Sequence, residues 1–267
     1  MKALSITTAW NETARFVKDN LGALFTIAFA LMALPSIVVQ ALAPRLVSPE
    51  GGAGTGLWVL LMVVVVVLSI VGTLAISALA LDRENVVGKA IALGFRRFLP
   101  LFGASLLVGL AAVILMIPLI LLLGIAPEDM APGNREAAGR IALAMLLFLI
   151  VFLFVWIRLM LMTAVAAAES GGPVAILRRS WDLTAGRFWK LLGFALLFVI
   201  AAFIMMFAAT AVLGIIVALV AGRPEPDNVA GLLMLLIGGV FNAVFIVYFT
   251  TIISRIYLQL AGRTSGS

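Results

Sequence analysis

Residues 187–222 read RFWKLLGFALLFVIAAFIMMFAATAVLGIIVALVAG: an Arg-Phe pair and a lysine, then 32 residues without a charge. A helix that crosses a bilayer needs roughly 20 mostly apolar residues, and the run at 191–222 exceeds that. The same opening occurs three times, as Arg15-Phe16 with Gly22, Arg97-Phe98 with Gly103, and Arg187-Phe188 with Gly193. The arginines are 82 and 90 residues apart. Each pair closes a short amphipathic stretch and opens an apolar run, so the recurrence points to an architecture before it points to any chemistry.

Further uncharged runs cover 21–44, 51–81, 98–127, 141–157 and 228–254. Together they predict six spanning helices at 21–43, 57–81, 99–125, 141–167, 190–220 and 229–255. Backbone at bilayer depth must satisfy its own hydrogen bonds, which selects helices or closed barrels. A barrel strand alternates in segments of about ten residues, and the run of valines at 63–67 does not alternate. The expected fold is all-α: a polytopic membrane protein forming a single integral membrane domain over 1–267.

Composition agrees. Apolar residues make up 64% of the chain and charged residues 11%, against roughly 45–50% and 25% in soluble domains. Such a chain cannot cover a globule with polar surface. It has no Cys and no His, which excludes disulfides, thiolate metal sites, His-ligated haem or zinc, and Ser-His-Asp hydrolysis. No phosphate-binding loop, dinucleotide fingerprint or nucleophile elbow occurs. No cofactor, metal or catalytic residue is expected.

The net charge of +6 lies along loop edges, where it orients helices and faces anionic lipid rather than nucleic acid. With the N-terminus inside, the inner segments hold Lys2, Arg15, Lys18, Arg83, Lys89, Arg96, Arg97, Arg178, Arg179, Arg187, Lys190, Arg255 and Arg263. The outer loops hold Arg45, Arg135, Arg140 and Arg223, beside the acids Glu50, Glu128, Asp129, Glu136, Glu225 and Asp227. This bias predicts cytoplasmic termini. Ala41-Leu42-Ala43 resembles a cleavage site, but the preceding run is longer than the 7–15 residues of a signal core and Pro44 follows, so the first span is expected to be retained.

Three parallel two-span units follow, at about 5–82, 84–168 and 172–258, each led by an interfacial amphipathic stretch. They could surround a pseudo-threefold axis or stack linearly; the sequence does not choose. In the first lead, Ile6, Trp10, Thr13 and Val17 share one face. In the second, Val87, Ile91 and Phe98 lie opposite Lys89, Arg96 and Arg97. In the third, Pro173 starts a helix with a Val174, Leu177, Trp181 stripe, and Arg179 is spaced to pair with Asp182.

Residues 169–190 read ESGGPVAILRRSWDLTAGRFWK. This resembles the Glu-x-x-Gly-Pro-x-x-Ala-Leu-x-Arg-Ser-Trp-x-Leu-Thr-x-Gly segment of the glycerophosphoryl diester phosphodiesterase membrane-domain family and related YciC-like bacterial inner-membrane proteins, with Ile176 at the Ala position. The closing Ile256-Tyr257-Leu258-Gln259-Leu260 is similar to the family's Leu-Tyr-x-Asp-Leu-Arg ending, with Gln259 and Ala261 replacing Asp and Arg. The resemblance implies a bacterial inner-membrane location. The family's name comes from members with a separate His-using phosphodiesterase domain, so that activity is not expected of a chain without histidine.

The candidate residues form two groups. Arg97, Arg178, Arg179, Trp181 and Arg187 are candidates for binding anionic headgroups or a partner membrane protein. Arg158, Glu169 and Asn242 are candidates for an intramembrane polar site. Arg158 follows about 17 apolar residues, roughly 25 Å of helix, which places it near the inner interface, where arginine can snorkel. Glu169 is a possible partner, but it lies roughly 16 Å further along an unbroken helix; Arg178 or Arg179 could satisfy it instead. Ser69, Thr73 and Asn242 are expected to bond to a neighbouring helix or to their own backbone. Pro35 and Pro118 are expected to kink the first and third spans. The expected function is a non-enzymatic inner-membrane scaffold or lipid-interacting module, with a small transporter or lipid translocator as the alternative.

Overall fold

The structure is a computed structural model that describes residues 5–46, 54–82, 86–126, 129, 135–225 and 228–262. Lys2, Arg83, Arg263, Glu50, Glu128 and Asp227, counted above for orientation, lie outside the described residues. All the described elements are helical: α1 (Ile6–Asp19), α2 (Leu21–Ala28), a π-helical turn (Phe29–Ala33), α3 (Leu34–Leu46), α4 (Gly54–Leu81), α5 (Val87–Leu122), α6 (Arg135–Leu159), α7 (Met162–Ala168), α8 (Pro173–Thr184), α9 (Phe188–Ala221) and α10 (Val229–Ala261). Among the described residues, six stretches are long and apolar enough to cross a membrane: Leu21–Ala43, Gly56–Leu81, Val87–Leu122, Ala137–Ala168, Phe188–Ala221 and Val229–Ala261. The architecture is that of a multi-pass membrane protein.

Three spans differ from their expected form. The first is one continuous rod only through the π-helical turn at Phe29–Ala33, immediately before Pro35. Proline has no N–H to return to the carbonyl four residues earlier, and a wider turn is one way a helix absorbs that loss. The third begins at Val87 rather than near 99, because its amphipathic lead runs into the span without a break and α5 passes through Pro100 and Pro118. The fourth is interrupted by a turn at Met160 and Leu161, so α6 and α7 are separate helices.

The Arg-Phe pairs accordingly occupy three different settings. Arg15-Phe16 lies inside α1, which ends at Asn20, where the Asn20 Nδ2 amide donates to the Phe16 carbonyl at 2.9 Å. Arg97-Phe98 lies within α5. Arg187-Phe188 begins α9, just after a chain reversal at Gly186 with φ +74°. A shared elbow conformation is not observed: the first and third leads end in breaks at Asn20 and Gly186, whereas the second continues through Pro100 into the span.

Small residues bring the helices together. α4 and α5 share the most extensive interface, and Gly94 sits so close to it that a Cβ there would lie 2.7 Å from the Val71 carbonyl oxygen. On α10, a Cβ at Gly239 would run into the Ile37 side chain. One buried cluster gathers Leu74, Leu101, Ile157, Leu161, Ile176, Leu191, Ile256 and Tyr257 around α7 and the end of α10. A second packs Phe16, Leu24, Ile27, Met32, Ile37, Ile76 and Val247 between the first two spans and α10. The sixth span continues to Ala261, beyond its expected end near 255, and stops at Gly262 in the left-handed region. Residues 250–258 are buried without exception.

Candidate functional site

The turn at Met160–Leu161 brings side chains of α8 onto the end of α6. Where a helix stops, the carbonyls of its last turn lose their intrahelical partners and need others. The Arg158 carbonyl is met by two hydroxyls from α8. Ser180 Oγ donates to it at 3.0 Å, and Thr184 Oγ1 lies 3.0 Å from the same oxygen and 3.0 Å from the Ser180 carbonyl. Both hydroxyl residues are fully buried. They are one turn apart on α8, so a single face of that helix delivers both to one acceptor.

That geometry sets the orientation of α8. Its buried face is Ile176, Ser180, Leu183 and Thr184, not the Val174, Leu177, Trp181 stripe. Val174 and Trp181 face outward, at 68% and 38% exposure, while Leu177 packs partly against the core. In α1 the buried residues are Ala9, Thr13, Phe16 and Val17; Trp10 is exposed but its ring lies beside Phe198 and Tyr248. In α5 the lead buries Ala90 and Gly94, while Val87 and Ile91 pack partly against the second cluster.

Arg158 itself stacks on aromatic rings. Its guanidinium carbon lies 5.4 Å from the centre of the Phe154 ring and 5.1 Å from that of Trp181. Phe154 and Trp181 meet edge to face at 5.8 Å. Cation–π contacts of this kind contribute from about 0.5 to about 2 kcal/mol as water is removed. Nε and Nη1 of Arg158 are buried and make no hydrogen bond among the described residues.

Glu169 is not its partner. Glu169 ends α7 in an extended conformation, and Arg179 satisfies it instead, one of the two alternatives the sequence offered. Its Oε1 accepts from the Tyr257 hydroxyl at 2.7 Å and from Arg179 Nε at 3.1 Å. Arg179 therefore pairs with Glu169 and not with Asp182, because the carboxylate at the end of α7 is within its reach. This network ties α7 and α8 to α10.

Sequence reasoning placed Arg255 among loop charges, but it is 1% exposed, with its guanidinium carbon 4.9 Å from the Phe16 ring centre. The available signal was its setting among Ile252, Ile253, Ile256 and Tyr257, an apolar run continuous with the span. Ser180 and Thr184 were also missed as a pair; two hydroxyls at i, i+4 beside Ile176 and Leu183 were the signal. Gln259, one of the substituted family positions, clips α10 to the start of α1. Its Oε1 accepts from the Ser5 N–H at 3.1 Å and its Nε2 donates to the Ser5 carbonyl at 3.3 Å.

Beside α8, an apolar groove of about 480 Å³ opens between α5 and α6. Leu107, Ala111 and Leu115 line one wall, Phe148, Val155 and Leu159 the other, and Leu177, Arg178 and Trp181 one end. Arg178 is exposed and is the charged residue of the lining. α8 is seated against α5 by Pro173, which lies so close to Gly103 that a Cβ there would meet its ring at 2.8 Å.

The remaining candidates lie apart from this cluster. Asn242 is exposed on α10 and makes no hydrogen bond among the described residues. Arg97 is half-buried on α5, six residues before Gly103, and Arg187 is half-buried at the start of α9. Thr73 Oγ1 bonds to the carbonyls of Ser69 and Ile70 in its own helix, as expected. Among the described residues no three carboxylates gather as a metal site. α8 thus brings together Arg158, Glu169, Arg178, Arg179 and Trp181, and leaves Asn242 out.

No curated protein and no solved structure matches this chain. One family model matches residues 5–260, from the start of α1 to within one residue of the end of α10, and the chain belongs to that family, the Domain of unknown function (DUF7847).

Proposed function

We propose that the protein is a non-enzymatic, lipid-interacting module of a bacterial inner membrane, with both termini cytoplasmic. In this reading it consists of three related two-span units, at about 5–82, 84–168 and 172–258, and the amphipathic leads lie at the inner interface. The observation that carries it is the exposed face of α8, where Arg178 stands free of any ion pair among the described residues, one turn from outward-facing Trp181. A basic helix with an outward tryptophan favours the headgroup layer. Arg97 and Arg187 likewise make no ion pair among the described residues, whereas Arg179 is engaged by Glu169. The basic contribution to lipid therefore falls to Arg97, Arg178 and Arg187.

The transport reading needs a polar path joining Arg158 and Asn242. Arg158 is packed between aromatic rings and Asn242 is exposed elsewhere, so no observation favours it. The test is lipid retention. Purified protein, wild type and the triple variant Arg97→Gln, Arg178→Gln, Arg187→Gln, is analysed by native mass spectrometry after extraction from vesicles of phosphatidylglycerol and phosphatidylcholine. The wild type is expected to retain phosphatidylglycerol preferentially and the variant to lose that preference. Equal retention by the two proteins would refute the lipid-interacting role.

A further inference from the structure

We infer that the groove between α5, α6 and α8 holds one acyl chain of an anionic phospholipid whose phosphate pairs with Arg178. This rests on the lipid-interacting reading and adds to it the ligand class, the site and the number of chains.

The depth of the groove comes first. α5 lines it from Leu107 to Leu115, roughly 12 Å at the rise of an α-helix. α6 lines it from Phe148 to Leu159, roughly 16 Å by the same rise. The hydrocarbon core of a bilayer is about 30 Å thick, so the groove is one leaflet deep. A slot of that depth matches the length of a chain in one leaflet, and its volume of about 480 Å³ suits one chain rather than several.

Its chemistry comes next. Apart from Trp181 and Arg178, every lining side chain is hydrocarbon. Such a wall offers no hydrogen bond to a sugar, an ion or an amino acid. Pockets that recognise polar ligands place several polar groups in an apolar lining, and here they are confined to one end.

The charge at that end completes the match. Arg178 is exposed there, and Arg158 stacks on Trp181, which lines the groove. Glu169 is already engaged by Arg179 and Tyr257. Asp182, one turn from Arg178, makes no ion pair with it. The Arg178 guanidinium at the end of a hydrocarbon slot complements an anionic headgroup above a chain. Trp181, between charge and slot, sits as an amphipathic ring does at the headgroup boundary.

The test uses the full chain in vesicles containing a trace of phosphatidylglycerol with a diazirine midway along one acyl chain. After illumination, labelled peptides are mapped by mass spectrometry. Labelling is expected to concentrate several-fold at Ala111, Leu115 and Phe148 over Leu197 and Phe203, outward residues of α9 that are 71% and 70% exposed. Ala111→Phe on one wall and Val155→Phe on the other are each expected to suppress groove labelling. Arg178→Gln is expected to weaken it by about tenfold, as loss of a charge-assisted pair should, while leaving labelling by a diazirine diacylglycerol, which lacks phosphate, unchanged.

Equal labelling of the groove and of α9, or groove labelling indifferent to both phenylalanine variants, would overturn the inference. Even labelling, combined with lost phosphatidylglycerol preference in the triple variant, removes the groove and keeps the broader reading. Unchanged preference in the triple variant removes the broader reading itself.

Discussion

The Tyr257 hydroxyl donates to Glu169 Oε1 at 2.7 Å across 88 positions of sequence, joining the last span to the segment that ends the fourth. The tyrosine is fully buried while the Glu169 side chain keeps 28% of its surface exposed, so the bond is partly shielded from water. Hydrogen bonds to a charged group contribute about 1.5–3 kcal/mol. Tyr257→Phe keeps the packing and removes the bond, and should lower the melting temperature in detergent. Glu169→Gln keeps an acceptor for Tyr257 and should cost less than Glu169→Ala, measured the same way.

Ser180 and Thr184 converge on one carbonyl, so each can cover for the other. Ser180→Ala and Thr184→Val alone should each cost no more than about 1 kcal/mol, the net worth of an ordinary hydrogen bond. The double variant leaves the Arg158 carbonyl without either hydroxyl and should lose more than the sum of the two, as coupled sites do. Denaturation of the four proteins closes the cycle. Additive losses would show that the two hydroxyls act independently.

Adjacent arginines on α8 should separate cleanly. Arg179→Gln breaks the ion pair with Glu169, but the arginine side chain is 43% exposed, so the loss should be within about 1 kcal/mol. Arg178→Gln breaks no ion pair and should leave the melting temperature unchanged while reducing phosphatidylglycerol retention. Thermal melts and native mass spectra of both variants provide the comparison.

Two glycines should respond in opposite directions. A methyl group at Gly94 meets the Val71 backbone at 2.7 Å, and backbone cannot swing aside, so Gly94→Ala should cost about 1–3 kcal/mol through overpacking. Gly22 has nothing within 4 Å of the same position. Gly22→Ala should therefore be neutral or gain up to about 1 kcal/mol from helix propensity. Melting temperatures of the pair decide it.

The six spans were legible because hydropathy over twenty or more residues outweighs every local preference. The turn at Met160–Leu161 was not, since neither residue breaks helices. It is held by hydroxyls that arrive from α8, a tertiary cause with no trace in the local sequence. The pairing of Glu169 was legible in part: helix rise separates it from Arg158, and Arg179 satisfies it, as the spacing allowed. Arg255 shows the limit of counting charges by segment: it lies beyond the apolar run yet within the fold, because α10 continues for almost two turns more. On α8, the Val174, Leu177, Trp181 spacing fits an apolar face in sequence, but the face that packs inward is Ile176, Ser180, Leu183 and Thr184.

The reciprocal bonds between Ser5 and Gln259 also bear on how the protein is made. A ribosome delivers α1 first and α10 last, yet Phe16 packs on Arg255 and Trp10 lies beside Tyr248. Throughout translation the leading helix lacks its partner, and assembly finishes only when the trailing helix docks. Such long-range closure is slow and leaves unmet surface exposed in the meantime. The chain is thus committed to membrane insertion early and to its final packing late, so a chaperone or protease would have the whole interval between the two in which to act.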